Sequence, residues 1–168
     1  MIGGLRRVAA AGLAYDLLVR ARELPAAIAA VRAVPECRFV LDHAAKPPIA
    51  RGWDPEWAER VATLARAPNV ACKLSGLVTE ASWASWTQGD LAPACRHVID
   101  AFGPARLIYG SDWPVCLLAA PYARVKEAFE RAIAGVSADE RAAMLGGNAI
   151  AAYRLEADRQ ATATRGGT

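Results

Sequence analysis

The ten residues from Leu107 to Cys116, LIYGSDWPVC, decide the fold prediction. Leu107-Ile108-Tyr109 is a short apolar run of β-forming residues, and the preceding Phe102-Gly103-Pro104 cannot continue a helix. A strand is therefore predicted from about Arg106 to Gly110. Asp112 falls just past the carboxyl end of this strand, where parallel α/β folds place their chemistry. The alternative is that Asp112 only caps a turn or the next helix.

Composition limits the protein classes that fit. The chain has 168 residues, of which 54% are hydrophobic, enough for one domain but fewer than the roughly 250 of a closed eight-stranded barrel. The net charge of +3 comes from scattered arginines, so no nucleic-acid partner is expected. No apolar run approaches the ~18 residues of a membrane span, so no membrane partner and a cytoplasmic location are expected. The cysteines lack metal-site spacing and are read as reduced thiols: Cys37, Cys72, Cys95 and Cys116.

Strand and helix patterns alternate along the chain. Strands are predicted at 13–19, 38–42, 70–74 and 106–110, and helices at 5–11, 24–34, 55–66, 91–101, 121–134, 137–145 and 148–155. Strand starts roughly 25 to 35 residues apart are typical of right-handed βαβ units. No Gly-rich nucleotide-binding motif appears, so no nucleotide cofactor is expected. Two parallel architectures remain, a doubly wound open sheet and part of a (β/α)₈ barrel.

The polar residues favour the barrel. His43, Ser75 and Asp112 each follow a predicted strand. In a barrel the carboxyl ends of all strands converge on one opening, so these side chains would meet there. We therefore predict an α/β fold that is a partial (β/α)₈ barrel.

Three motifs support this choice: FVLDH at 39–43, CKLSG at 72–76 and GSDWP at 110–114. In this order they resemble the amidohydrolase-2 family of TIM-barrel hydrolases, and within it the sugar-lactone hydrolase branch. The resemblance runs from about Leu5 to Leu155 and implies that the four strands are strands five to eight of the barrel. It implies that residues 1–155 are the C-terminal portion of such a domain. Residues 156–168 are polar and without periodicity, which predicts a disordered tail.

The resemblance also implies a reaction, the water-mediated opening of a sugar-derived lactone. Asp112 would act as general base toward water, and His43 would help to polarise the carbonyl. The implied cofactor is one divalent metal, zinc or similar, with His43 and Asp112 as ligands. The family begins with an HxH pair that this sequence lacks, so the metal site is incomplete, because a catalytic zinc takes about three protein ligands. The implied partner is a small lactone or carboxylic acid derivative.

Several loop residues on the same predicted side are candidates for substrate binding. They are Lys46, Trp83, Trp86 and Trp113. Lys46 would receive a lactone oxygen or an acid product, although a loop lysine is often simply solvated. Tryptophans in long loops are as often packing anchors as pocket walls.

Asp16 and Lys73 interrupt otherwise apolar strands. A lone buried charge is costly, so we predict that the two side chains pair across the barrel interior; a separation above about 6 Å would exclude this. The alternative is that both point outward and reach water. Lys73 is also counted among the substrate-binding candidates.

Three hypotheses follow for the whole chain. The first is a truncated hydrolase that is inactive without the first half of its barrel. The second is a half-barrel binding or structural module that forms a homo-oligomer through its open sheet edge. The third keeps the barrel but makes it a decarboxylase or hydratase of the same superfamily.

Overall fold

A computed structural model describes residues 1–155 and contains one four-stranded sheet. The predicted disordered tail at 156–168 lies outside the described residues. The strands are β1 (Ala14–Leu17), β2 (Arg38–Leu41), β3 (Val70–Leu74) and β4 (Leu107–Tyr109). They are parallel and lie in the order β1-β2-β3-β4, so each strand neighbours the next one along the chain. This confirms the predicted α/β architecture with parallel strands.

Helices alternate with the strands as predicted. They are α1 (Ile2–Ala10), α2 (Leu24–Ala33), α3 (Pro55–Ala65), α4 (Gln88–Phe102), α5 (Tyr122–Ala132), α6 (Ala138–Ala142) and α7 (Asn148–Tyr153), with a π-helical turn at Ala143–Gly147. Helix α4 begins three residues earlier than the sequence pattern indicates. The reason is a capping box in which the Asp90 carboxylate accepts hydrogen bonds from the backbone N–H and the hydroxyl of Thr87.

The core lies between the sheet and helices α2, α3 and α4. Phe39, Leu41, Cys72 and Leu107 face these helices and are at most 1% exposed. Trp57 of α3 is equally buried, and its indole N–H donates to the backbone carbonyl of Ala44 at 2.8 Å. All four cysteines are free and buried, as predicted.

The opposite face of the sheet, the interior of a barrel, carries a charged network. Lys73 Nζ lies 2.9 Å from Asp16 Oδ2 and 2.7 Å from Asp42 Oδ1, and the Tyr153 hydroxyl donates to Asp16 Oδ1 at 2.7 Å. Burial opposes the charge on Lys73, but hydrogen bonds with Asp42, Tyr153 and Asp16 outweigh it and raise the pKa of the ammonium. The predicted pair of Asp16 and Lys73 is confirmed, with Asp42 as a second partner.

The two outer strands have uncovered edges. Within residues 1–155, β1 pairs only with β2, and β4 pairs only with β3. Large apolar side chains are exposed in and around β1 and after β4: Leu13, Tyr15, Leu18, Leu117, Leu118 and Tyr122. The described chain is therefore an open segment of sheet with apolar surface at both margins. None of its helices is long and apolar enough to cross a membrane.

Candidate active site

His43 stands on an unusual turn at the end of β2. His43, Ala44, Ala45 and Lys46 all have left-handed backbone conformations, with φ between 49° and 59°. Each such residue costs roughly 1–2 kcal/mol when it has a Cβ, so the turn must be held by its surroundings. Ala44 and Ala45 are fully buried, and the Trp57 indole binds the Ala44 carbonyl. The core thus fixes the direction in which the imidazole projects.

Asp112 lies three residues after β4, at the same edge of the sheet. It also has a left-handed backbone, with φ of 58°, and its carbonyl accepts a hydrogen bond from the backbone N–H of Cys116 at 2.8 Å. A cis peptide bond joins Trp113 and Pro114 directly after it. The Asp112 carboxylate is 13% exposed, so it is held on a fixed turn while remaining open to small molecules.

The imidazole and the carboxylate face each other. His43 Nε2 lies 3.7 Å from Asp112 Oδ1, and His43 Nδ1 lies 2.9 Å from the Ser75 hydroxyl oxygen. The longer distance is beyond a hydrogen bond, which leaves the facing atoms of His43 and Asp112 available to a third group. The convergence of all three strand ends predicted from the sequence is therefore present.

Two glycines make this close approach feasible. A Cβ at Gly76 would lie 2.7 Å from His43 Nδ1 and 3.1 Å from Asp112 Oδ2. A Cβ at Gly110 would lie 2.9 Å from the Cβ of Ser75. Neither position has room for a real side chain, so the site requires glycine at both. Both glycines fall within the sequence motifs, but no role was predicted for them because close backbone approach leaves no signal in residue chemistry.

Lys46 lies at the margin of a charged cavity. Its ammonium pairs with Glu80 at 3.3 Å, and both line a cavity of about 380 Å³. Arginines contribute most of the remaining charge, with Arg20, Arg22, Arg51 and Arg60 in the lining. Such a cavity is suited to a polar or anionic small molecule. The role of Lys46 in binding substrate or product stays a prediction.

The three loop tryptophans differ in their surroundings. Trp113 is 65% exposed and Trp83 is 50% exposed, so both remain candidates for contact with substrate. Trp86 is only 4% exposed, and its indole N–H donates to the Ala119 carbonyl at 3.0 Å. Of the two roles left open for the loop tryptophans, this burial and this hydrogen bond favour a packing anchor for Trp86. The Lys73 ammonium is occupied by two carboxylates, and its predicted contact with substrate stays a prediction.

The described residues do not form a complete metal centre. The distance of 3.7 Å between His43 Nε2 and Asp112 Oδ1 is close to that between two neighbouring ligands of one zinc ion, about 3.4 Å for bonds of about 2.1 Å. A catalytic zinc takes about three protein ligands, and residues 1–155 contain no group of three suitable side chains. His43 and Asp112 by themselves do not fit the ligand set of a catalytic metal.

Parallel strands with an imidazole and a carboxylate at their carboxyl edge are the arrangement expected of an enzyme built on a (β/α) barrel. The chain belongs to the amidohydrolase family, whose model matches residues 3–155. The predicted resemblance is thereby confirmed.

The chain is also similar in sequence to two lactonases. The chain is 45% identical to an L-fucono-1,5-lactonase of Burkholderia ambifaria over 154 residues, which are 86% of this chain and 51% of the relative. A second L-fucono-1,5-lactonase, from Burkholderia multivorans, is also 45% identical over 155 residues, 84% of this chain and 51% of the relative. The chain spans about half the length of the curated relatives it matches.

A solved structure is similar over the same region. A crystal structure of an amidohydrolase from Burkholderia multivorans with bound zinc superposes with a TM-score of 0.87 at 41% identity, covering 91% of this chain and 56% of that one. A fold this similar over half of a longer protein confirms the predicted partial barrel.

Proposed function

We propose that this chain carries part of the active site of a lactone hydrolase that opens a sugar-derived 1,5-lactone. The observation that carries the proposal is the pair of His43 Nε2 and Asp112 Oδ1, which face each other at 3.7 Å with neither atom hydrogen-bonded to the other. The names of the L-fucono-1,5-lactonase relatives support the substrate class.

The proposed reaction uses Asp112 as the base. Its carboxylate takes a proton from water while the water oxygen attacks the lactone carbonyl carbon, and His43 donates a hydrogen bond to the carbonyl oxygen. The ring C–O bond then breaks, and the leaving oxygen takes the proton back from Asp112. The product is an open hydroxy acid, whose new carboxylate would be bound by Lys46, which lies in the same left-handed turn as His43.

A divalent metal is the proposed cofactor of the whole enzyme, with the zinc-bound relative as precedent. If such a metal is bound, His43 and Asp112 would be two of its ligands, with further ligands from outside the described residues, and the metal would polarise the carbonyl in place of the His43 N–H. The steps above use only groups of this chain.

Activity is expected to depend on covering the sheet edges. The experiment compares the chain alone with the chain co-expressed with the first half of the Burkholderia multivorans lactonase, by following acid release from L-fucono-1,5-lactone. We expect hydrolysis only from the co-expressed pair, because the barrel opening is otherwise incomplete. Turnover of aromatic carboxylic acids instead of lactones would favour a decarboxylase.

A second candidate is a half-barrel that pairs with a copy of itself. The exposed apolar residues at both edges favour it, since β4 of one copy and β1 of another run in directions that allow parallel pairing around a barrel. Light scattering on the purified chain decides the question: a dimer of matching mass supports this candidate, and a monomer excludes it.

A further inference from the structure

A second cavity lies at the amino-terminal end of the sheet, opposite the edge that carries His43 and Asp112. Its volume is about 220 Å³, and residues from the starts of β2 and β3 and from helix α7 line it. Apolar residues form most of its wall, among them Val40, Val70, Ala71, Ala151 and Ala152. The charged residues in the lining are two arginines, Arg38 and Arg106.

Hydrogen bonds from side chains hold the walls of this cavity in place. Asn148, at the start of α7, donates from its amide to the Leu107 carbonyl at 2.7 Å. The Arg106 guanidinium donates to the Ala67 carbonyl at 3.0 Å. Because the lining groups are already anchored, a ligand that enters has little to put in order, which favours binding.

The cations at this end of the sheet crowd one another. Arg38 donates a hydrogen bond to the Gly12 carbonyl, but its Nε is buried and has no hydrogen-bond partner within residues 1–155. Arg154 approaches the same glycine, since its Nη1 lies 3.4 Å from the point where a Cβ at Gly12 would stand. Burial and the charge of Arg154 both lower the pKa of Arg38.

No carboxylate of residues 1–155 forms an ion pair with Arg38, Arg106 or Arg154. An anion in the cavity would offset the repulsion between the guanidinium groups and would give the buried Nε an acceptor. A carboxylate suits this place, because its two oxygens match the planar fork of N–H donors on arginine. The apolar walls favour a hydrocarbon body on the same ligand.

We propose that this cavity binds a small organic carboxylate with an apolar body. The proposal goes beyond the lactone hydrolysis and does not depend on it, because the cavity lies at the amino end of β2 whereas His43 follows its carboxyl end. The hydroxy acid that the proposed reaction releases is a poor match, since its hydroxyl groups would face apolar walls.

Benzoate is the probe, and benzamide is the uncharged control of nearly the same shape. We would titrate each into the full ¹⁵N-labelled chain and follow the backbone amides. Benzoate should bind saturably and shift the amides of Ala71 and Ala152, while those of Ser75 and Gly76 at the other end of the sheet stay in place. Benzamide should bind at least about tenfold more weakly, because it lacks the charge-assisted hydrogen bonds.

Two variants test the cavity itself. Ala151→Leu keeps both arginines but fills part of the space, and Ala151 is exposed, so leucine there requires no rearrangement of the core. Arg106→Gln removes one of the two lining charges. Each should weaken benzoate binding at least about tenfold, whereas Arg96→Gln on the exposed side of α4 should leave it unchanged. Should Arg106→Gln fail to fold, Ala151→Leu and the benzamide comparison still decide the matter.

The chain has carboxylates of its own close to Arg154 in sequence, those of Glu156 and Asp158. A full chain with Glu156→Gln and Asp158→Asn should bind benzoate with the same affinity. Tighter binding would show that these carboxylates compete for the cavity, and it would overturn the assignment to a separate ligand.

Three further results would overturn the inference. They are amide shifts confined to other parts of the chain, equal affinities for benzoate and benzamide, and an Ala151→Leu variant that binds benzoate as well as the wild type. Lactone hydrolysis by the restored barrel is a separate measurement, so its outcome tests the proposed function and not this site.

Discussion

The two charged regions of this molecule differ in how completely their groups are bound. On the inner face of the sheet, the Lys73 ammonium contacts carboxylates of Asp16 and Asp42, and Tyr153 binds Asp16 as well. At the carboxyl edge, His43 and Asp112 face each other at 3.7 Å without a hydrogen bond between them. Mutually bound charges hold strands together, whereas facing groups that are left apart are available to a substrate.

Replacing a carboxylate at the edge should therefore affect turnover. Asp112→Asn removes the proposed base, and we expect the rate of lactone hydrolysis by the co-expressed barrel to fall about 10²–10⁴-fold. The free energy of unfolding should change little, because the backbone carbonyl of Asp112, which binds Cys116, is retained. Asp100→Asn, on the exposed end of α4, is the matched control and should keep full activity. Undiminished turnover by the Asp112 variant would refute its assignment as the base.

Replacing the cation of the inner face should affect stability. Lys73→Met leaves two carboxylates without their partner, and removing one member of a fully buried pair costs about 3–5 kcal/mol. Since the side chains of Lys73 and Asp16 are 22% and 38% exposed, we expect a smaller loss of about 2–3 kcal/mol in urea unfolding. Lys126→Met removes a helical pair with Glu130, which keeps Arg141 as a partner, and should cost under about 0.5 kcal/mol. Equal losses of unfolding free energy in the two variants would show that the inner network contributes no more stability than the helical pair.

A side chain at Gly76 would cost stability in two ways, by backbone strain and by contact with His43. Gly103 is the control for the strain alone. Both have positive φ, 64° and 69°, but a Cβ added at Gly76 would meet side-chain atoms within 4 Å, whereas one at Gly103 would meet none. Alanine at either position incurs backbone strain, and Gly76→Ala additionally displaces the His43 ring. We expect the Gly76 variant to be less stable than the Gly103 variant by about 1–3 kcal/mol, measured by urea unfolding. A difference near zero would mean that the ring moves freely.

Alkaline pH should weaken the inner network slightly. Burial, together with the hydrogen bond to Asp16, raises the pKa of Tyr153 to about 12 despite the nearby Lys73. The unfolded chain loses this proton first, near its ordinary pKa of about 10, so the contribution is complete below pH 10 and is lost between pH 10 and 12. Tyr153→Phe should therefore show a shallower decline of unfolding free energy over this interval. Equal declines of unfolding free energy in the variant and the wild type over this interval would contradict the prediction.

The sequence determined the parallel α/β order, the three strand-end motifs and the pairing of Asp16 with Lys73. Each of these depends on local apolar runs, on glycine and proline, or on the cost of an isolated charge, and residue types alone report them. It also identified His43 and Asp112 as facing groups, because the carboxyl ends of parallel strands meet.

Only the tertiary structure decided the rest. It placed Trp86 in the core, joined Asp42 to the charged network, and revealed that Ser75, Gly76 and Gly110 shape the surroundings of His43. These features arise from contacts between residues far apart in the chain and from left-handed backbone, which the surrounding packing imposes and local sequence preferences oppose.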